Sequence, residues 1–201
     1  MRVHTTTDPA VEPVSLNEAK IRLRYALTVG DAYSYDEIDS TLLSAIKDAR
    51  IIVENDTDRA LITQTREYYL DKWPDSDYIT IPYPPLQSAT VTYRLVDDSG
   101  YDNAITLDTD TVTEPGRLVL KPGKSWPDGK LYPDRPIKIV FICGYGDAPE
   151  DVPEPLRNAI LLKVADADAF RGSLIAGVNV SVIPGRYDSL INHFRIYTRF
   201  K

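Results

Sequence analysis

Cysteine is nearly absent: Cys143 stands alone among 201 residues, so no intramolecular disulfide can form. A lone cysteine fits a reducing compartment. Histidine is almost as scarce. His4 and His193 lie near opposite ends of the chain, and no cluster of ligating residues accompanies either, so no metal or cofactor is expected. Long apolar runs are missing too. Stretches such as Ile139 to Cys143 fall far below the roughly 20 residues that a membrane-spanning helix needs. The opening MRVHTTTDPAVEPVS has no apolar segment of the kind a secretory signal requires. The chain is therefore expected to be soluble, to stay where it is made and to have no membrane partner.

Basic residues are in deficit. Lysine and arginine number 23 against 30 acids, giving a formal charge of −7 and a pI near 4.9. Gripping duplex DNA by counterion release needs the opposite balance, so tight DNA binding is not expected. The deficit is uneven. Four bases and one acid between Arg186 and Lys201 give +3, which leaves −10 on the rest. The chain is an acidic body with a basic tail. Hydrophobic residues at 43% and charged residues at 26% mark it as folded rather than disordered. Its length suits one domain, or a domain with a large insertion.

Each candidate for chemistry has a plainer reading. Cys143 follows four apolar residues in a strand-like run and has no base in sight, so a buried structural thiol is the better account. Trp126-Pro127-Asp128 matches the general-acid loop of protein tyrosine phosphatases, but the His-Cys-x5-Arg cradle is absent. Ile142 precedes Cys143, and Pro149 stands where the arginine should be. The tripeptide also recurs as Trp73-Pro74-Asp75, which points to turns with packed indoles. Asp108-Thr109-Asp110 opens like a calcium loop, yet Val112 and Thr113 replace a ligand and the required glycine. Gly144-Tyr145-Gly146 lacks the third glycine of a dinucleotide fingerprint and reads as the turn that ends a strand. The sequons at Asn55 and Asn179 are chance matches in a chain without export. Nothing in the carboxylate spacing marks an acid–base pair. No catalytic residue is assigned, and an enzyme is not expected.

The periodicity changes along the chain. Residues 1–14 read as an extended arm. Ser15-Leu16-Asn17-Glu18 is a capping box that starts a helix expected to reach about Leu27, with Gly30 at or beyond its end. Ile38, Leu42, Ala45, Ile46, Ala49, Ile52 and Val53 keep helical spacing from about Glu37 to Asn55. From 61 to 149 the composition turns to Thr, Tyr, Val and Ile broken by Pro, Gly and Asp. Strands are predicted at Thr65–Leu70, Tyr78–Ile81, Thr90–Val96, Arg117–Leu120 and Ile137–Cys143. Helical spacing returns in 150–172, through Leu156, Ile160, Val164 and Ala167. Residues 173–201 form a linker and an amphipathic basic segment. The fold class expected is α+β: a helical-bundle body (15–60 with 150–172) carrying a β-rich insertion between its second and third helices.

Taken in order, several motifs resemble the head–tail connector (adaptor) proteins of long-tailed bacteriophages and gene transfer agents. They are Pro13 through Lys20 (PVSLNEAK), Ala49-Arg50 with Val53-Glu54, and Arg59 through Thr65 (RALITQT). Pro82 through Ser88 (PYPPLQS), Tyr93, Trp126-Pro127, Ile139 through Gly146 and Val152 through Ile160 (VPEPLRNAI) complete the set. The match spans about residues 13–171, whereas Gly30 to Tyr35 and Ser173 to Lys201 follow no such pattern.

The resemblance implies a structural protein of the virion neck, assembled in the bacterial host's cytoplasm. It implies a homo-oligomeric ring, usually of twelve subunits, beneath the portal protein. Such a ring extends the DNA channel without binding DNA specifically and offers a docking surface to a stopper or tail-terminator protein. Portal docking is expected through the basic tail: Arg186, Tyr187, Leu190, Ile191, Phe194, Arg195, Tyr197 and Arg199. The alternative is a β-rich carbohydrate- or protein-binding module of a virion or mobile element, its tyrosines serving as contact surface.

Overall fold

The computed structural model describes residues 3–25, 35–105, 109–169 and 185–196. Within these the chain divides into two compact units. One takes Met1–Ala10 and Ile62–Asp147, the other Val11–Leu61 and Ala148–Arg199.

Among its described residues the first unit has strands and no helix. β1 (Val3–Thr7), β2 (Gln64–Leu70), β4 (Leu86–Tyr93), β5 (Asn103–Ile105) and β8 (Ile137–Cys143) join in one antiparallel sheet, with the order β1-β2-β8-β4-β5. β3 (Tyr78–Thr80), β6 (Thr109–Val112) and β7 (Arg117–Leu120) make a second antiparallel sheet, with the order β3-β7-β6. β8 holds the centre of the larger sheet for a reason visible in its sequence. Ile137, Ile139, Phe141 and Cys143 alternate with less buried residues, and all four are fully buried. β2 pairs with it from Gln64↔Cys143 to Leu70↔Ile137, and β4 from Leu86↔Cys143 to Tyr93↔Ile137 across a bulge. Ile79, Leu118 and Leu120 give the smaller sheet its buried side.

The second unit is helical. α1 (Leu16–Leu23) opens with the predicted capping box: Ser15 Oγ accepts from the Glu18 N–H at 3.2 Å, and Glu18 Oε2 accepts from the Ser15 N–H at 2.7 Å. The helix stops four residues before the expected Leu27. Arg24 turns left-handed (φ 56°) and its N–H bonds to the Ile21 carbonyl, while the Tyr25 N–H reaches back to Lys20. This is a Schellman closure with arginine where glycine is usual. α2 (Tyr35–Thr57) buries Leu42, Ile46, Ala49 and Val53, and α3 (Glu154–Ala169) buries Leu156, Ala159, Ile160 and Val164. The three helices pack on one another, and the short α4 (Arg186–Ile191) packs on α3 and α2. Fully burying each large aliphatic side chain contributes about 1.5–3 kcal/mol. Ile52, expected on the buried face of α2, is instead 42% exposed.

The expected helical-bundle body with a β-rich insertion is therefore corrected. Among the described residues there are four α-helices against eight strands in two antiparallel sheets. Strand outweighs a bundle architecture. The misreading has a local cause: Val3–Thr7, assigned to an arm, pairs with β2 as the edge of the larger sheet, from Val3↔Tyr68 to Thr7↔Thr65. Strands β5 and β6 lie in polar stretches (NAI, TDTV) too short to show a period.

Candidate functional surfaces

The residues considered for chemistry are held in structural settings. Cys143 is fully buried, and its thiol faces the Gln64 carbonyl at 3.8 Å. Trp73 and Trp126, from the two Trp-Pro-Asp copies, stack on each other with ring centroids 5.2 Å apart and planes 4° from parallel. The Trp126 indole N–H donates to the Ser76 carbonyl at 2.9 Å, and Tyr93 meets the Trp73 ring edge-on. The pair ties two loops together. Gly144 has φ 133°, and a Cβ there would lie 2.5 Å from the Ile62 carbonyl carbon. Glycine is needed at this close backbone crossing, which a Thr63 N–H···O=C Gly146 bond and a parallel bridge Ile62↔Gly146 complete. Asp108 and Asn179 lie outside the described residues, Asn55 is exposed, and Thr109–Val112 form β6 rather than a loop. His4 sits in β1, and His193 is exposed beside Phe194. No group of three metal-ligating side chains occurs among the described residues, and no described helix is long and apolar enough to cross a membrane.

Several tyrosines of the β unit carry a guanidinium of the same unit on one face. Arg66 lies over Tyr83 at 3.8 Å, Arg94 over Tyr132 at 3.7 Å and Arg117 over Tyr78 at 4.6 Å. That reduces the aromatic surface on which the binding-module alternative depends. Tyr69 has its hydroxyl pKa raised to about 12 by burial and by its hydrogen bond to Glu67.

Two arginine clamps of the helical unit were not foreseen. Arg50 is buried on α2, where it holds Glu12 Oε2 at 2.8 Å and Glu54 Oε2 at 3.1 Å. Arg157 on α3 donates to the Pro13 carbonyl at 3.0 Å, to Glu154 at 2.9 Å and to Glu18. Burial pushes the Glu18 carboxyl up, but bonds from Ser15 and Arg157 outweigh it, and its pKa is lowered. Pro13 and Glu18 belong to PVSLNEAK, Arg50 and Glu54 to the Ala49–Glu54 motif, and Glu154 and Arg157 to VPEPLRNAI, while Glu12 immediately precedes the first of these. Three motifs far apart in sequence thus meet in one place. The available signal was an arginine and a glutamate at i,i+4 on an otherwise apolar helix face.

The segment named for portal docking is partly engaged with its own unit. Ile191 is fully buried. The Tyr187 hydroxyl donates to Asp56 at 2.7 Å and its ring lies under Lys163 Nζ at 4.0 Å. Burial, followed by that bond, raises its pKa. Arg59 Nε donates to the Phe194 carbonyl at 2.6 Å, and the Ile196 N–H to Thr57 at 3.2 Å. Arg186 is exposed, Leu190, Phe194 and Arg195 are half-buried, and Arg195 pairs with Asp188 at 2.9 Å. Tyr197 and Arg199 lie outside the described residues.

No family model matches this sequence, and no curated protein matches it. Solved structures do. A chain from the neck of an empty gene transfer agent particle, computed with C6 symmetry, superposes with TM-score 0.79 at 24% identity. Chains from the native virion and from the native neck, computed with C12 symmetry, give 0.77 at 23% and 0.73 at 22%. In all three the alignment covers 100% of this chain and 98% of the other. At these identities the likeness establishes a shared fold.

Proposed function

We propose that this chain is a structural subunit of the neck of a gene-transfer-agent or tailed-phage particle, acting as a head–tail connector and not as an enzyme. The observation that carries the reading is the end-to-end correspondence with neck chains, in which both chains are covered almost completely. Supporting it are motifs resembling connectors, which converge on the two arginine clamps. In this role the chain forms a ring, of twelve copies by analogy with the C12 neck, seated under the portal. The ring extends the DNA channel. A body at −10 suits a conduit through which DNA slides, because few phosphates are gripped.

Docking falls to two surfaces. The portal meets the basic C-terminal segment, where Arg186, Leu190 and Arg195 remain accessible while Ile191 and Tyr187 fix the segment to its unit. The ring also offers a docking surface to a stopper or tail-terminator protein. The test is imaging of the chain co-produced with its portal. A ring of this chain under the portal is expected; particles whose necks lack it would overturn the reading.

A further inference from the structure

The second Trp-Pro-Asp copy is followed by glycine, and that residue changes the chemistry open to its aspartate. Asp128 and Gly129 lie in the connection from β7 to β8 and are both exposed. Among the described residues neither the Asp128 carboxylate nor the Gly129 N–H has a hydrogen-bond or ionic partner. Aspartate before glycine is the pairing in which the following amide nitrogen most readily attacks the side-chain carboxyl, because no Cβ shields that nitrogen. The fold itself requires the glycine: its φ is 137°, and a Cβ there would lie 2.9 Å from Leu95 Cδ2. The chain has no other Asp-Gly pair and no Asn-Gly pair. The first copy, Trp73-Pro74-Asp75, is an internal control. Asp75 is exposed too, but Ser76 follows it, and the serine side chain hinders the same attack.

The pair is held from both sides. Before it, the Trp126 ring stacks on Trp73 and its N–H donates to the Ser76 carbonyl at 2.9 Å. After it, the Lys130 carbonyl accepts from the Val96 N–H at 3.1 Å, and the Tyr132 N–H donates to the Arg94 carbonyl at 3.1 Å. Arg94 also covers the Tyr132 ring at 3.7 Å. Any change in main-chain length at Asp128 must therefore be taken up between Trp126 and Lys130. Backbone hydrogen bonds hold the second of these, so the displacement falls on the half-buried indole.

We propose that Asp128 is a site of spontaneous isoaspartate formation, and that its conversion loosens the Trp73–Trp126 stack. The Gly129 nitrogen bonds to Asp128 Cγ, the Cγ–O bond breaks, and the hydroxyl leaves as water with the amide proton. Water then opens the resulting succinimide. Addition at Cγ restores aspartate, whereas addition at the Asp128 main-chain carbonyl routes the chain through Cβ and Cγ and leaves the α-carboxylate as the side group. No oxidant or cofactor takes part, and the chain gains a methylene in its backbone with no net change in mass. The inference stands independently of the neck reading. The full-length chain, aged at neutral pH and physiological temperature, is expected to gain methyl-accepting groups for an isoaspartyl methyltransferase supplied with labelled S-adenosylmethionine. Peptide mapping should place them at Asp128 well ahead of Asp75. Tryptophan emission comes from Trp73 and Trp126 alone and should shift to the red in step with the labelling. Asp128→Glu, which cannot close the five-membered ring, should match the parent's emission when fresh and lose both changes on ageing. No label at Asp128, or label at Asp75 equally fast, overturns the site. Label at Asp128 with constant emission, or the same red shift in aged Asp128→Glu, overturns the link to the stack.

Discussion

Glu54 accepts two hydrogen bonds of different origin: Arg50 Nη1 donates to one carboxylate oxygen at 3.1 Å, and the Leu61 backbone N–H donates to the other at 3.0 Å. Both side chains are almost fully buried. Removing Glu54 orphans the buried Leu61 amide and takes one of two carboxylates from the Arg50 guanidinium, which keeps Glu12, so Glu54→Ala should cost about 2–5 kcal/mol. Replacing both residues with apolar ones of similar volume removes the buried charge pair and leaves the part-exposed Glu12 to water, but the amide stays unpaired. Arg50→Met with Glu54→Leu should therefore keep a loss of ~1–3 kcal/mol. Urea unfolding of the two variants measures the difference; equal losses would reject this division.

The inner face of α2 separates cleanly from its outer one. Leu42→Ala or Ile46→Ala should cost roughly 2–5 kcal/mol, since both side chains are fully buried. Leu43→Ala, at a position 50% exposed one residue away, should stay within about 0.5 kcal/mol. Thermal unfolding decides it, and similar losses at Leu42 and Leu43 would mean that the face is misassigned.

The period-3.6 and period-2 patterns carried a good part of the fold into the sequence, and the exceptions are physical. Strands β2, β3, β7 and β8 stand close to where alternation placed them, because each buries one face. β1 was missed because VHTTT buries nothing fully and owes its conformation to pairing with β2. Ile52 misled because a groove, rather than packed core, lies under its side of α2. The clamps were illegible for a different reason. Arg50 and Arg157 act on Glu12 and Pro13, and no local pattern encodes partners 38 and 144 residues away. Order and spacing of motifs pointed to the neck, but not to which residues meet.

Glu18 makes the start of α1 sensitive to acid. Its pKa is lowered in the folded chain, so its stabilisation is present above the unfolded value near 4.5 and is lost as pH falls through the folded one. Glu18→Gln should flatten the acid limb of a stability–pH curve while leaving its alkaline limb alone. Ser15→Ala, which removes the reciprocal cap, should cost about 1 kcal/mol at neutral pH. An acid limb unchanged in Glu18→Gln would place the sensitivity elsewhere.

At the other extreme, Tyr187 has a raised pKa because it is desolvated and donates to Asp56. Its stabilisation is full below the unfolded value near 10 and is lost as pH rises through the folded value. Tyr187→Phe should lower stability at neutral pH, where the donated bond is lost, and remove this residue's share of the alkaline decline. Monitoring unfolding from pH 8 upward tests it; an identical alkaline decline in the variant would show that other groups cause it.

The C-terminal segment separates packing from docking. Ile191 is fully buried, so Ile191→Ala should destabilise the helical unit by about 2–5 kcal/mol whatever partner exists. Arg186 is exposed, and the Arg195–Asp188 pair lies at the surface, where such pairs contribute little. Arg186→Glu with Arg195→Glu should accordingly leave the thermal midpoint almost unchanged. If this face meets the portal, the same double reversal turns steering attraction into repulsion and weakens attachment, most strongly at low salt. Co-sedimentation with tail-less capsids across a salt series reads the effect. Loss of binding at low salt with an unchanged midpoint supports docking through these arginines. Equal binding by variant and parent at every salt concentration would leave the segment a packing role alone.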